Sequence, residues 1–116
     1  MTQEMNMTDH SLPLAIADEL NRMEGNLQHM NPNVKGYKQL YSSVERMKRT
    51  LQAYGYEIVN LQGLPYTDGM TVIAHFVLDE EMELDEPPRI TNVVKPQVNY
   101  QGHIIQVPEV TVSQAF

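Results

Sequence analysis

The 116-residue chain contains no cysteine, which excludes disulfide bonds, thiolate nucleophiles and zinc clusters built on sulfur, and fits a reducing compartment. Cations are scarce as well: eight Lys and Arg stand against fifteen Asp and Glu, for a formal net charge of -7. The average field therefore repels phosphate backbones and anionic membranes, so neither nucleic acid nor a membrane is an expected partner. No apolar run approaches the ~20 residues that span a bilayer. Residues 1–12 have neither a cationic stretch nor an apolar core of the kind a leader carries, and the chain is expected to be cytoplasmic. The six glycines are scattered singly, leaving no phosphate-binding loop. Serines are few, and none sits in a Gly-x-Ser-x-Gly elbow. No cofactor and no small-molecule substrate are expected.

What is present suits one modest core. Hydrophobic residues make up 41% and charged residues 20%, above the range where disorder is expected. Residues 1–10 read as a polar, disordered tail. From Leu12 the apolar residues fall at Ile16, Leu20, Met23, Leu27 and Met30, alternating steps of four and three along one helical stripe. Ser11 and Pro13 suggest its start, and Asn31-Pro32-Asn33 its stop. Gly25 weakens the interior of this helix by about 1 kcal/mol relative to alanine.

Tyr37, Leu40, Val44, Met47, Leu51 and Tyr54 repeat the spacing, with Tyr41 widening the stripe. Lys48 and Arg49 fall in the final turns, where cations suit the negative helix end, and Gly55 reads as a left-handed cap. Residues 11–55 thus form a helical hairpin. Two helices leave much of such a seam wet, and a four-helix bundle made by two copies would dry it. The dimerisation residues are then Leu20, Met23, Leu27, Tyr37, Leu40, Val44, Met47 and Leu51.

After Gly55 the period changes. Residues 56–61, 71–78, 90–94, 103–107 and 109–112 are short runs rich in Val, Ile and Thr, as half-buried strands are. Gly63, Pro65, Asp68-Gly69, Pro87-Pro88, Pro96 and Gln101-Gly102 punctuate them as turns. Pro108 suggests a bulge or an edge strand at 109. The fold class is α+β: a two-helix antiparallel hairpin followed by a small, mostly antiparallel β-wing over 56–116.

Reactive constellations are missing. His10, His29, His75 and His103 have no spacing that puts two on one helix turn beside a carboxylate, so they read as a solvated tail, a helix end and two strand positions, with no metal. The run Asp79-Glu80-Glu81-Met82-Glu83-Leu84-Asp85-Glu86 lacks the glycine and ligand alternation of a calcium loop and reads as a solvated turn, with a secondary role in attracting a basic partner left open. Met23, Met30 and Met47 read as core or dimer packing, or as an adaptable binding face. A small hydrolase using the acidic run and a histidine would lack a positioned nucleophile or base. The chain is expected to bind protein and not to be an enzyme.

Over residues 12–112 four stretches resemble the GrpE-type nucleotide exchange factors of DnaK-type chaperones. Leu12-Pro13-Leu14-Ala15-Ile16-Ala17-Asp18-Glu19-Leu20-Asn21-Arg22 looks like the opening of the family's first bundle helix. Tyr54-Gly55-Tyr56-Glu57-Ile58 looks like the exit from its second, and Gly63-Leu64-Pro65-Tyr66 like the glycine-x-proline-aromatic stretch that follows. Gly102-His103-Ile104-Ile105-Gln106-Val107-Pro108-Glu109-Val110-Thr111-Val112 has the shape of its closing hairpin. The resemblance implies a homodimer whose bundle carries β-wings, one of which props open the nucleotide cleft of the chaperone's ATPase domain. It implies contact residues Pro65, Tyr66, Gly102, His103 and Gln106. Departures accompany it. His103 and Gln106 stand where the family has arginine, and Lys95-Pro96-Gln97 replaces its lysine-glycine-tyrosine. The long paired helix that precedes the family's bundle has no counterpart before Ser11. A dimeric adaptor that keeps the scaffold and binds another protein is the alternative.

Overall fold

The computed structural model describes residues 9–116. Most of the expected tail, 1–8, lies outside the described residues, and Asp9 and His10 do not behave as a tail. Asp9 Oδ1 accepts hydrogen bonds from the Ser11 hydroxyl at 2.5 Å and the Ser11 N–H at 2.9 Å. These two bonds, the side-chain one first, hold its carboxyl below the usual range. His10 Nδ1 shares a 2.8 Å hydrogen bond with the Tyr56 hydroxyl, and its ring lies 4.7 Å from that of Tyr100.

Helix α1 spans Ser11–Gln28, so the Asp9 side chain satisfies one of the N–H groups that the first turn leaves open. It ends before the Asn31-Pro32 stop, because the N–H groups of His29 and Met30 fold back onto the carbonyls of Asn26 and Leu27. Helix α2 spans Tyr37–Ala53 and is framed by Gly36 and Gly55, both left-handed at φ 92° and 95°. The Gly55 N–H closes the helix on the Gln52 carbonyl. Lys48 and Arg49 lie a turn short of the helix end. Lys48 instead ties the helices together, its Nζ 3.0 Å from Glu24 of α1.

Six strands follow: β1 Tyr56–Val59, β2 Ile73–Asp79, β3 Arg89–Lys95, β4 Gln97–Tyr100, β5 His103–Gln106 and β6 Glu109–Ala115. They form two three-stranded sheets, ordered β1-β4-β5 and β2-β6-β3. Three of the four pairings are antiparallel, and β2 with β6 is parallel. The hairpin β4–β5 turns through Gln101 and Gly102, both at positive φ, the geometry that tight hairpins favour. Strand β4 is not among the expected runs, because Pro96 reads as a turn. Pro96 is instead a buried single-residue joint where the chain passes from one sheet to the other. Pro108 likewise does not mark an edge. It is fully buried just before β6, the central strand of its sheet, and the irregularities in that sheet fall on β3.

Each sheet has its own core. In the first, Ala17, Leu20, Leu27, Val44 and Leu51 of the helices bury together with Tyr56 and Val98, so the β1-β4-β5 sheet floors the hairpin. In the second, Leu61, Ile90, Val110 and Val112 pack with Tyr66, Met70 and Val72 from the segment between β1 and β2. The described chain is thin, 57 × 41 × 16 Å, and its radius of gyration of 16.7 Å exceeds the about 13 Å of a compact domain this long. Such a plate leaves broad faces uncovered.

Candidate partner-binding surface

The helical stripes divide into two lines each. On α2, Tyr37, Val44 and Leu51 are seven residues apart and turn inward, with Val44 and Leu51 buried. The neighbouring line, Leu40, Met47 and Tyr54, turns out, with Leu40 47% and Tyr54 74% exposed. On α1 the inner line is Leu20 and Leu27, and the outer is Ile16, Met23 and Met30, half-buried or exposed. Spacing alone offers each helix only its hairpin partner as cover. The β1-β4-β5 sheet covers the inner lines within one chain, because the short exit through Gly55 folds β1 directly beneath α2. Of the eight expected dimerisation residues, Leu20, Leu27, Val44 and Leu51 are buried within the subunit, Met23 and Tyr37 are half-buried, and Leu40 and Met47 are exposed.

The expected contact residues do not gather on one spot. Gly102 and His103 form the exposed tip of the β4–β5 hairpin. Pro65 is exposed and bridges Arg89, at the far end of β3 in the other sheet, so the lengths of β3 and β4 separate the two groups. Tyr66 is half-buried, edge-on to Phe76 with ring centroids 5.3 Å apart. Gln106 is committed inside the chain: its Nε2 donates to Asp18 Oδ1 at 3.0 Å and to the Pro96 carbonyl at 2.9 Å. With the 2.9 Å bond from Asn21 Nδ2 to the Val93 carbonyl, it fixes α1 across the joint between the sheets.

The sequence reading missed the His10, Tyr56 and Tyr100 cluster, which closes the start of α1 onto the first sheet. The alternation in Gln97-Val98-Asn99-Tyr100 before a two-residue turn was the available signal for its strand. Burial first, then repulsion of a phenolate by Tyr100 and Asp9, raises the Tyr56 phenol above its ordinary value.

Charge is unevenly divided. Residues 11–55 hold six basic side chains against four acidic, whereas 56–116 hold nine acidic against Arg89 and Lys95. The acidic run forms the turn between β2 and β3, pinned by Glu81 N–H on Asp79 Oδ1 and Glu83 N–H on Glu86 Oε1. Among the described residues no three His, Asp or Glu side chains converge as a metal site would require. His75 Nε2 meets Glu109 Oε2 at 2.8 Å on neighbouring strands. No described helix is long and apolar enough to cross a membrane.

In comparison with known proteins, the chain matches no family model and no curated protein. The likeness to GrpE-type factors rests on the sequence stretches alone.

Proposed function

We propose that the chain is a protein-binding module, a GrpE-type co-chaperone that acts as a homodimer and promotes ADP release from a DnaK-type ATPase. The observation that carries this reading is the attachment of its parts. A helical hairpin with an open outer apolar line runs through Gly55 into a thin β unit whose tip, Gly102 and His103, is exposed. Pairing of two outer lines would supply the missing cover, and the slight excess of cations on 11–55 does not strongly oppose it.

Exchange of this kind needs no reacting residue. A partner that binds the open state of a nucleotide clamp more tightly than the closed state weakens ADP by the same coupling energy. The affinity of this protein for a DnaK-type ATPase domain, measured with and without saturating ADP, tests the reading. Tighter binding to the nucleotide-free domain is expected, and equal affinities would end it.

One observation favours the second reading, a dimeric adaptor with a different partner. Gln106, at a position where the family has arginine, is half-buried and its side-chain amide is spent on Asp18 and Pro96. Pull-down from the native cell extract separates the two, since an adaptor recovers another protein in place of an ATPase.

A further inference from the structure

Most sheet edges among the described residues are short or covered. β1 and β5 have four residues each. β3 is irregular and is lined by residues 63–66: the N–H groups of Gly63 and Tyr66 donate to the carbonyls of Ile90 and Pro88, and the Ile90 N–H donates to the Leu64 carbonyl, each at 2.8 Å. β2 differs. It runs seven residues in unbroken register with β6 and contains neither proline nor lysine. The Ile73 N–H donates to the Pro108 carbonyl, on the β6 side. Backbone groups of successive strand residues point to opposite sides, so the N–H and C=O of Ala74, Phe76 and Leu78 face outward. No neighbouring strand takes them up among the described residues. Ile73 and Val77 on one face, and Phe76 and Leu78 on the other, are 45% to 56% exposed. Proteins ordinarily blunt such an edge with lysine, proline, a bulge or a covering segment. Among the described residues β2 has none of these.

We infer that β2 is a docking edge for an extended segment of another protein, an apolar run with lysines or arginines at one end, which adds to the sheet as a strand. Charge selects this occupant. The edge runs straight into the acidic turn, where Asp79, Glu80, Glu81, Glu83, Asp85 and Glu86 crowd one end, on a β unit already rich in acid. An antiparallel guest places its N-terminal end beside that turn, so its cations precede its apolar run. A second copy is a poor occupant, because pairing β2 with β2 brings two acidic β units together without a cation on either strand. The inference goes beyond the co-chaperone reading and does not depend on it.

The test uses the full chain and a blocked peptide, Lys-Lys-Thr-Val-Thr-Ile-Thr-Val-Gly, followed by amide exchange. On adding peptide, the amides of Ala74, Phe76 and Leu78 should slow by about tenfold or more while those of His75 and Val77 change little. Leu78→Pro should abolish binding without unfolding the protein, since its N–H faces away from β6. Glu80→Gln, Glu81→Gln and Glu83→Gln together should weaken binding about tenfold and erase the preference over a Glu-Glu counterpart. Unchanged exchange at the three outward amides in millimolar peptide would overturn the inference, as would equal binding of the Lys-Lys and Glu-Glu peptides. Protection that grows with protein concentration in the absence of peptide would also overturn it, by making a second copy the occupant. No ATPase is present, so none of these outcomes bears on nucleotide exchange.

Discussion

Leu20 and Leu40 separate what the hairpin buries for itself from what it leaves in solvent. Leu20 is 1% exposed and packs in the core shared by both helices and the first sheet. Leu20→Ala removes its branched end and leaves a cavity between rigid neighbours, at a cost of about 2–5 kcal/mol. At about 4–8 °C per kcal/mol for a domain near this size, the thermal midpoint falls by at least about 8 °C, whatever the protein concentration. Leu40, on the outer line, has half its surface in solvent, so Leu40→Lys should change the stability of an isolated subunit by no more than about 0.5 kcal/mol. Within a paired bundle the same change buries an ammonium from each copy, and an unpaired buried charge costs several kcal/mol, enough to weaken association more than about a hundredfold. Denaturant unfolding at dilute and concentrated protein, with sedimentation velocity on the same samples, reads both effects. If Leu40→Lys destabilises dilute protein as much as Leu20→Ala, the outer line is not free. If wild type sediments as a monomer throughout the micromolar range, there is no seam to break.

Other consequences are as direct. Gly25 has open space where a Cβ would stand, so Gly25→Ala should add about 0.5–1 kcal/mol in denaturant titration. Gly55→Ala should lose about 1–3 kcal/mol, because φ is 95° and the new Cβ would lie 3.2 Å from the Tyr100 ring. Tyr56 has its phenol raised by folding, so its contribution is complete below the unfolded value of about 10 and is lost as pH rises through the folded one. Stability should hold to about pH 10 and decline above it, less steeply in Tyr56→Phe, with absorbance showing one tyrosine ionising late. Gln106→Ala should cost about 1–2 kcal/mol through the abandoned Pro96 carbonyl and Asp18 carboxylate, and should loosen amide protection around Asp18 in the middle of α1.

The helices were legible because their apolar spacing is a local property that survives any tertiary setting. Their two glycine-framed ends differ in this respect: Gly55 follows a clean periodic run, whereas Gly36 sits inside a polar loop with no pattern to frame it. Strand β4 was hidden by Pro96, since a proline ordinarily ends a run, and only the packing of two sheets makes it a joint. Pro108 misled for the same reason: missing one N–H suggests an edge, yet here the proline precedes the strand and gives up only its carbonyl to Ile73. Which half of each stripe stays wet could not be read from spacing, because both lines repeat at seven residues and the choice is made by where the first sheet docks. Gln106 shows the limit for contact residues. A polar side chain on a half-buried strand reads alike whether it faces a partner or, as here, holds α1 to the sheet joint.

Whether this chain opens a nucleotide clamp by binding alone is decided by loading a DnaK-type chaperone with a fluorescent ADP analogue and following its loss as the protein is added. The release rate should climb with protein concentration to a plateau, and should drop back with His103→Ala while the thermal midpoint of the variant stays put. A release rate that does not change at saturating protein would contradict it.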